Sequence, residues 1–103
     1  MITFDHGKAM RQVSELRQIA SDLNQLLSGR FANAVNTADS SWDGEASEIF
    51  RRKCNELSSN IAKEAKRISD VADSLQKTAD EIRRAEEEAE RIAREFSLRK
   101  SKA

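Results

Sequence analysis

The chain has 103 residues, with 18 basic and 18 acidic side chains and zero formal net charge. That length suits one small domain, and a neutral chain lacks the basic footprint of a nucleic-acid binder. With no Pro, three Gly, one Cys and 35% charged residues, the composition points to long helices and excludes an internal disulfide framework.

The N-terminal stretch MITFDHGKAM has no apolar core of signal-peptide length. No later run approaches the roughly 20 apolar residues of a membrane span. The expectation is a product made in the cytoplasm, without membrane insertion. Asp5, with Thr3 just before it, is placed to cap a first helix, because its carboxylate can accept from the open N–H groups of the first turn. From there Val13, Leu16, Ala20, Leu23, Leu27, Phe31, Ala34 and Ala38 recur at spacings of three and four, one continuous apolar stripe. Ile19 and Leu26 widen it on one flank. Gly29 is its weak point, since a mid-helix Gly costs about 1 kcal/mol relative to Ala. The stripe keeps its phase across Gly29 apart from a one-residue slip at Phe31, which predicts a single, slightly bent helix over about 6–39.

A turn follows over 40–44. Asp39, Ser40, Ser41 and Asp43 read as turn and N-cap residues, Gly44 permits a backbone conformation closed to other residues, and Glu45 favours the positive end of a new helix. The chain's one Trp, Trp42, sits beside this break.

The second helix is predicted over about 45–96. Cys54, Ile61, Ile68, Leu75, Ile82, Ala89 and Phe96 lie seven apart, and Phe50, Leu57, Val71, Ala85 and Ile92 fill positions three residues on. Glu64 and Thr78 interrupt the second row. Sustained heptads with charged flanks describe a helix that packs lengthwise on another. At about 1.5 Å per residue this helix is close to 80 Å long against about 50 Å for the first, so it overshoots. Residues 97–103, rich in Arg and Lys, read as a flexible basic tail.

So short a reversal makes the helices antiparallel. The predicted fold is all-α, a two-helix hairpin. Two helices alone offer little apolar burial against a conformational cost of at least 1 kcal/mol per residue. The broad stripes therefore predict dimerisation into a four-helix bundle, with Leu16, Leu23, Leu27, Leu57, Ile61, Ile68 and Leu75 as packing and interface residues.

No catalytic chemistry is legible. His6 is the only His and reads as a solvated side chain near a fraying end. Cys54 has no His to activate it and no second Cys for a metal, and reads as a buried, inert thiol on the heptad seam. No Gly-rich phosphate loop is present, and no cofactor is expected.

Trp42, Gly44, Ala46 and Phe50 fit W-x-G-x-A-x-x-x-F. In the loop of a helical hairpin of about this size, that spacing resembles the WXG-motif family, the small early-secreted-antigen-like (Esx-like) substrates of type VII secretion systems. The resemblance covers essentially residues 1–93. It implies a virulence-associated protein secreted without a cleaved signal peptide. The implied partners are a second copy, a related hairpin or the helical domain of a toxin, and the type VII secretion ATPase. The family's C-terminal export signal often carries a Tyr, and this chain has none. The broader form, hydrophobic and acidic residues at fixed spacing, is met by Ile82, Glu86, Ala89 and Ala93. Two alternatives compete: a cytoplasmic adaptor that escorts a larger type VII toxin, and an unrelated coiled-coil scaffold.

Overall fold

The computed structural model describes residues 4–102. Helix α1 spans His6–Leu26, a π-helical segment Leu27–Phe31 follows, α2 spans Ala32–Ser41 and α3 spans Gly44–Lys102. No strand occurs among the described residues. The fold is a helical hairpin, elongated to 89 × 17 × 16 Å.

Asp5 caps α1 as its chemistry demands. Its backbone is non-helical, and its Oδ1 accepts from the Lys8 N–H at 2.9 Å, satisfying one of the open donors of the first turn. Thr3 lies outside the described residues. The π segment accounts for the slip at Phe31. Val13, Ala20 and Leu27 face α3 at heptad spacing, but the next residue in that row to turn inward is Val35, eight positions after Leu27. A π turn takes in one more residue than an α turn. It therefore absorbs the extra residue while α1 and α2 both keep an apolar side toward α3.

The reversal is shorter than the sequence suggested. Asp39, Ser40 and Ser41 are not turn residues; they close α2. The Ser40 and Ser41 hydroxyls donate to the Thr37 carbonyl at 2.8 and 3.0 Å, so side chains satisfy a helix-end acceptor. The turn itself is Trp42, in extended backbone, and Asp43, followed by Gly44 at φ 65°. A Cβ on Gly44 would meet nothing within 4 Å, so the requirement for Gly is conformational rather than steric.

Pairs along the hairpin fix the antiparallel register: Asp39 with Ser47 and Arg51, Arg17 with Asp73 and Gln76, His6 with Asp80, and Phe4 with Glu86. The seam between the helices is made of small residues. Ala65, Ala72 and Ala79 are 2%, 0% and 3% exposed, against Val13 and Ala20 at 1% and 6%. The larger stripe read from the sequence runs beside this seam, three residues after each Ala. Ile61, Ile68 and Ile82 are half-buried there, and Leu75 is exposed. Small side chains at the closest approach let the backbones come together, while bulk is carried to the flank.

Beyond Glu86 the helix α3 has no opposing helix. Every residue from Glu87 to Lys102 is exposed, including Ile92, Phe96 and Leu98. Residues 97–102, expected as a flexible tail, continue α3 as helix; Ala103 lies outside the described residues.

Candidate functional site

At the turn end, the extended backbone at Trp42 points its ring along the start of α3. The Trp42 and Phe50 rings pair with centroids 4.8 Å apart and planes tilted by 41°, a favourable arrangement of aromatic quadrupoles. Phe50 is half-buried, whereas Trp42 remains 47% exposed. Ala46, one turn from Phe50, is exposed. The spacing W-x-G-x-A-x-x-x-F thus brings two aromatic rings together across a glycine-dependent reversal.

A polar clamp that the sequence reading missed holds this end shut. Ser47 is buried, and its hydroxyl donates to Asp39 Oδ1 at 2.9 Å; the Arg51 Nε–H donates to the same oxygen at 2.9 Å. The Arg51 bond first, and then the Ser47 bond, hold the Asp39 carboxyl below its ordinary range, since both favour the ionised form. Nothing in the local sequence marks the trio. Asp39 precedes two serines and reads as a cap, and only the antiparallel register brings Ser47 and Arg51 to it.

At the opposite end lie the residues expected as an export element. Ile82 and Glu86 are half-buried, and Ala89 and Ala93 are exposed on the overhanging part of α3. The Phe4 N–H donates to Glu86 Oε1 at 3.0 Å. His6, expected to be solvated, instead donates from Nε2 to Asp80 Oδ1 at 2.7 Å; the carboxylate is acceptor-only, which places the proton on Nε2. That hydrogen bond lowers the Asp80 carboxyl from its ordinary value. The reading of His6 failed because the antiparallel register sets Asp80 of α3 opposite the start of α1.

The two ends are not brought together within one molecule. From Gly44 to Ile82 is most of the paired length of α3, some 57 Å at about 1.5 Å per residue.

Between the ends runs an apolar face. On α3, Leu57 and Val71 each precede a seam position by one residue, and Leu75 follows Ala72 by three. On α1, Ile19 and Leu26 precede Ala20 and Leu27 by one, and Leu16 and Leu23 follow Val13 and Ala20 by three. At 100° per residue these offsets fall on the same flank of each helix. Because the helices are antiparallel, the two flanks meet on one side of the hairpin. Ile19, Leu26, Leu57, Val71 and Leu75 are 41–51% exposed there. The other side is polar: Arg17 bonds Asp73 and Gln76, and Ser69, Lys66 and Asp70 line a shallow groove with Asn24 and Ser28.

Cys54 is half-buried rather than buried. It lies beside the π segment, in a shallow cleft with Leu27, Phe31 and Val35, where the bulge loosens the seam. Among the described residues, no group of three or more His, Cys, Asp or Glu side chains is placed to hold a metal. No helix among them is long and apolar enough to cross a membrane.

The model of the WXG100 family, described as proteins of 100 residues with WXG, matches residues 2–87. The chain belongs to this family. WXG100 is the WXG-motif family of type VII secretion substrates, small secreted helical proteins that are not known enzymes and that commonly pair as dimers in type VII secretion. The matched span takes in both ends of the hairpin, from the start of α1 to Glu86. No curated protein and no solved structure matches the chain.

Proposed function

We propose that this WXG100 protein is a type VII secretion substrate or secretion partner that works as a pair of hairpins packed head to tail in a four-helix bundle. The carrying observation is the one-sided apolar face, on which Ile19, Leu26, Leu57, Val71 and Leu75 stand 41–51% exposed. Bringing two such faces together removes apolar surface from water at about 25 cal/mol per Å², and one hairpin has no third helix to cover them. Leu16, Leu23, Ile61 and Ile68 form the inner edge of that interface and Leu57 and Leu75 its outer edge, while Leu27 packs in the seam within each hairpin. The same chemistry suits a second copy or a related hairpin.

Head-to-tail packing also answers the separation of the two ends. Trp42 of one hairpin then lies near Ile82 and Glu86 of the other, so a composite surface forms twice per pair. In this reading the type VII secretion ATPase meets that surface, and the pair leaves the cell folded. Sedimentation of the purified chain at micromolar concentration tests the packing, with twice the monomer mass expected. Secreted and cell-retained protein for Trp42→Ala and Glu86→Ala in the native host test the surface. A well-folded monomer, or normal export of both variants, would overturn the proposal.

A further inference from the structure

The segment that leads into α1 touches α3 at two points six residues apart. The Phe4 N–H donates to Glu86 Oε1 at 3.0 Å, and His6 Nε2 lies 2.7 Å from Asp80 Oδ1. Beside these points Phe4 lines a small groove with Ala9, Gln12, Leu75, Ala79 and Ile82. We propose that Phe4–His6 form a clasp that masks Ile82 and Glu86, and that this clasp opens before the element is read in export. The inference rests on the reading of Ile82 and Glu86 as an export element given above.

The masking is selective. Of the four residues in that element, Ile82 and Glu86 are half-buried, while Ala89 and Ala93 stand in solvent beyond the end of α1. A recognising protein must offer a donor to the Glu86 carboxylate and an apolar surface to Ile82. Both demands are already addressed inside the hairpin, by the Phe4 N–H on Glu86 and by the apolar groove that Phe4 and Ile82 line together. An intramolecular partner with the same chemistry competes directly with an external one.

The clasp is also built to open. Asp5 stays anchored to the first turn, its Oδ1 accepting from the Lys8 N–H and its carbonyl from the Ala9 N–H, whereas Phe4 precedes the helix and His6 reaches α3 through its side chain alone. The first buried residue of α1 is Val13, a full two turns further on. Release of Phe4 and His6 therefore leaves the seam at Val13, Ala20, Ala72 and Ala79 in place. The two hydrogen bonds of the clasp are only part-buried, and segments with few buried contacts sit at the low end of local stability. An open fraction of the order of 1% is the scale expected for such a minor state, and it can be shifted by a ligand that prefers it. Capture of the open form by the secretion machinery would then draw the hairpin out of its masked state.

The clasp is opened from each side by variants that keep Glu86, and Glu86→Ala serves as the control on the export element. In the wild-type protein, the Phe4 amide should exchange with solvent more slowly than an unstructured amide, read by NMR. His6→Ala and Asp80→Asn should each speed that exchange, with the helical circular dichroism unchanged. In the native host, both variants should raise the ratio of secreted to cell-retained protein by about threefold or more. The rise should vanish when either is combined with Glu86→Ala. A wild-type Phe4 amide without protection would overturn the clasp, as would open-clasp variants exported at or below the wild-type ratio. Loss of export in Glu86→Ala, with His6→Ala and Asp80→Asn unchanged, would remove the clasp and keep the export element. Normal export of Glu86→Ala would remove both.

Discussion

Trp42 and Phe50 meet across the chain reversal with ring centroids 4.8 Å apart, although the Trp ring stays 47% exposed. The pair closes the turn end of the hairpin without burying its larger member. An aromatic pair contributes about 0.5–1.5 kcal/mol beyond area burial, and half the Trp surface was never removed from water. Trp42→Ala should therefore cost about 2 kcal/mol, below the roughly 3–5 kcal/mol of a buried aromatic. Urea unfolding followed by circular dichroism measures this. A protein with several kcal/mol in hand stays folded after such a loss, so a sharp fall in secreted Trp42→Ala would report recognition of the exposed ring.

Gly29 and Gly44 should respond in opposite directions. Gly29 lies in the π segment with room for a Cβ and ordinary helical backbone, so Gly29→Ala should raise stability by up to about 1 kcal/mol. Gly44 has equal room but a φ of 65°, and Gly44→Ala should cost about 1–2 kcal/mol. Thermal unfolding of both variants decides. Equal midpoints would show that the turn re-forms with another backbone.

Helical class, hairpin topology, the cap at Asp5 and the W-x-G turn were legible because each is written in local spacing. The inner seam was not. A hydropathy pattern rewards bulk, so the row Ile61, Ile68, Leu75 and Ile82 outweighs Ala65, Ala72 and Ala79, which hold the closest approach. The slip at Phe31 was visible as a phase error, and its physical meaning, one residue taken up by a π turn, emerged only in three dimensions. Asp39, His6 and Asp80 were misread or passed over for a common reason. Their partners lie 12, 74 and 74 residues away in the chain, and only the antiparallel register joins them.

Acid should weaken the hairpin through two carboxyls. Asp39 is held below its ordinary value by Arg51 and then Ser47, and Asp80 by His6. In both cases the unfolded chain takes up the proton first as pH falls, so stability rises with pH through this range. Their contribution is complete above about pH 4, the ordinary Asp value, and is lost as pH falls through the lowered folded values. Urea midpoints between pH 2 and 6 should follow that slope, and Asp39→Asn should flatten part of it. An unchanged acid limb in Asp39→Asn would mean that the Ser47–Asp39–Arg51 clamp is not held in solution.

Val71 and Ala72 are neighbours in the chain with opposite surroundings, 51% and 0% exposed. They separate the outer apolar face, proposed above as the interface between hairpins, from the seam within one. Val71→Glu places a carboxylate on the outer apolar face. It should leave the fold of each hairpin unaltered and drive a pair toward monomer, because burying an unpaired charge between two hairpins is strongly unfavourable. Ala72→Leu inserts bulk where α1 and α3 come closest. Overpacking a tight contact costs about 1–3 kcal/mol, and a seam of alanines has little slack. That variant should lose helical cooperativity, and with it the pair. Sedimentation beside circular dichroism at matched concentrations distinguishes the two effects. If Val71→Glu sediments as a pair with its fold unchanged, the outer face is not the surface on which two hairpins meet.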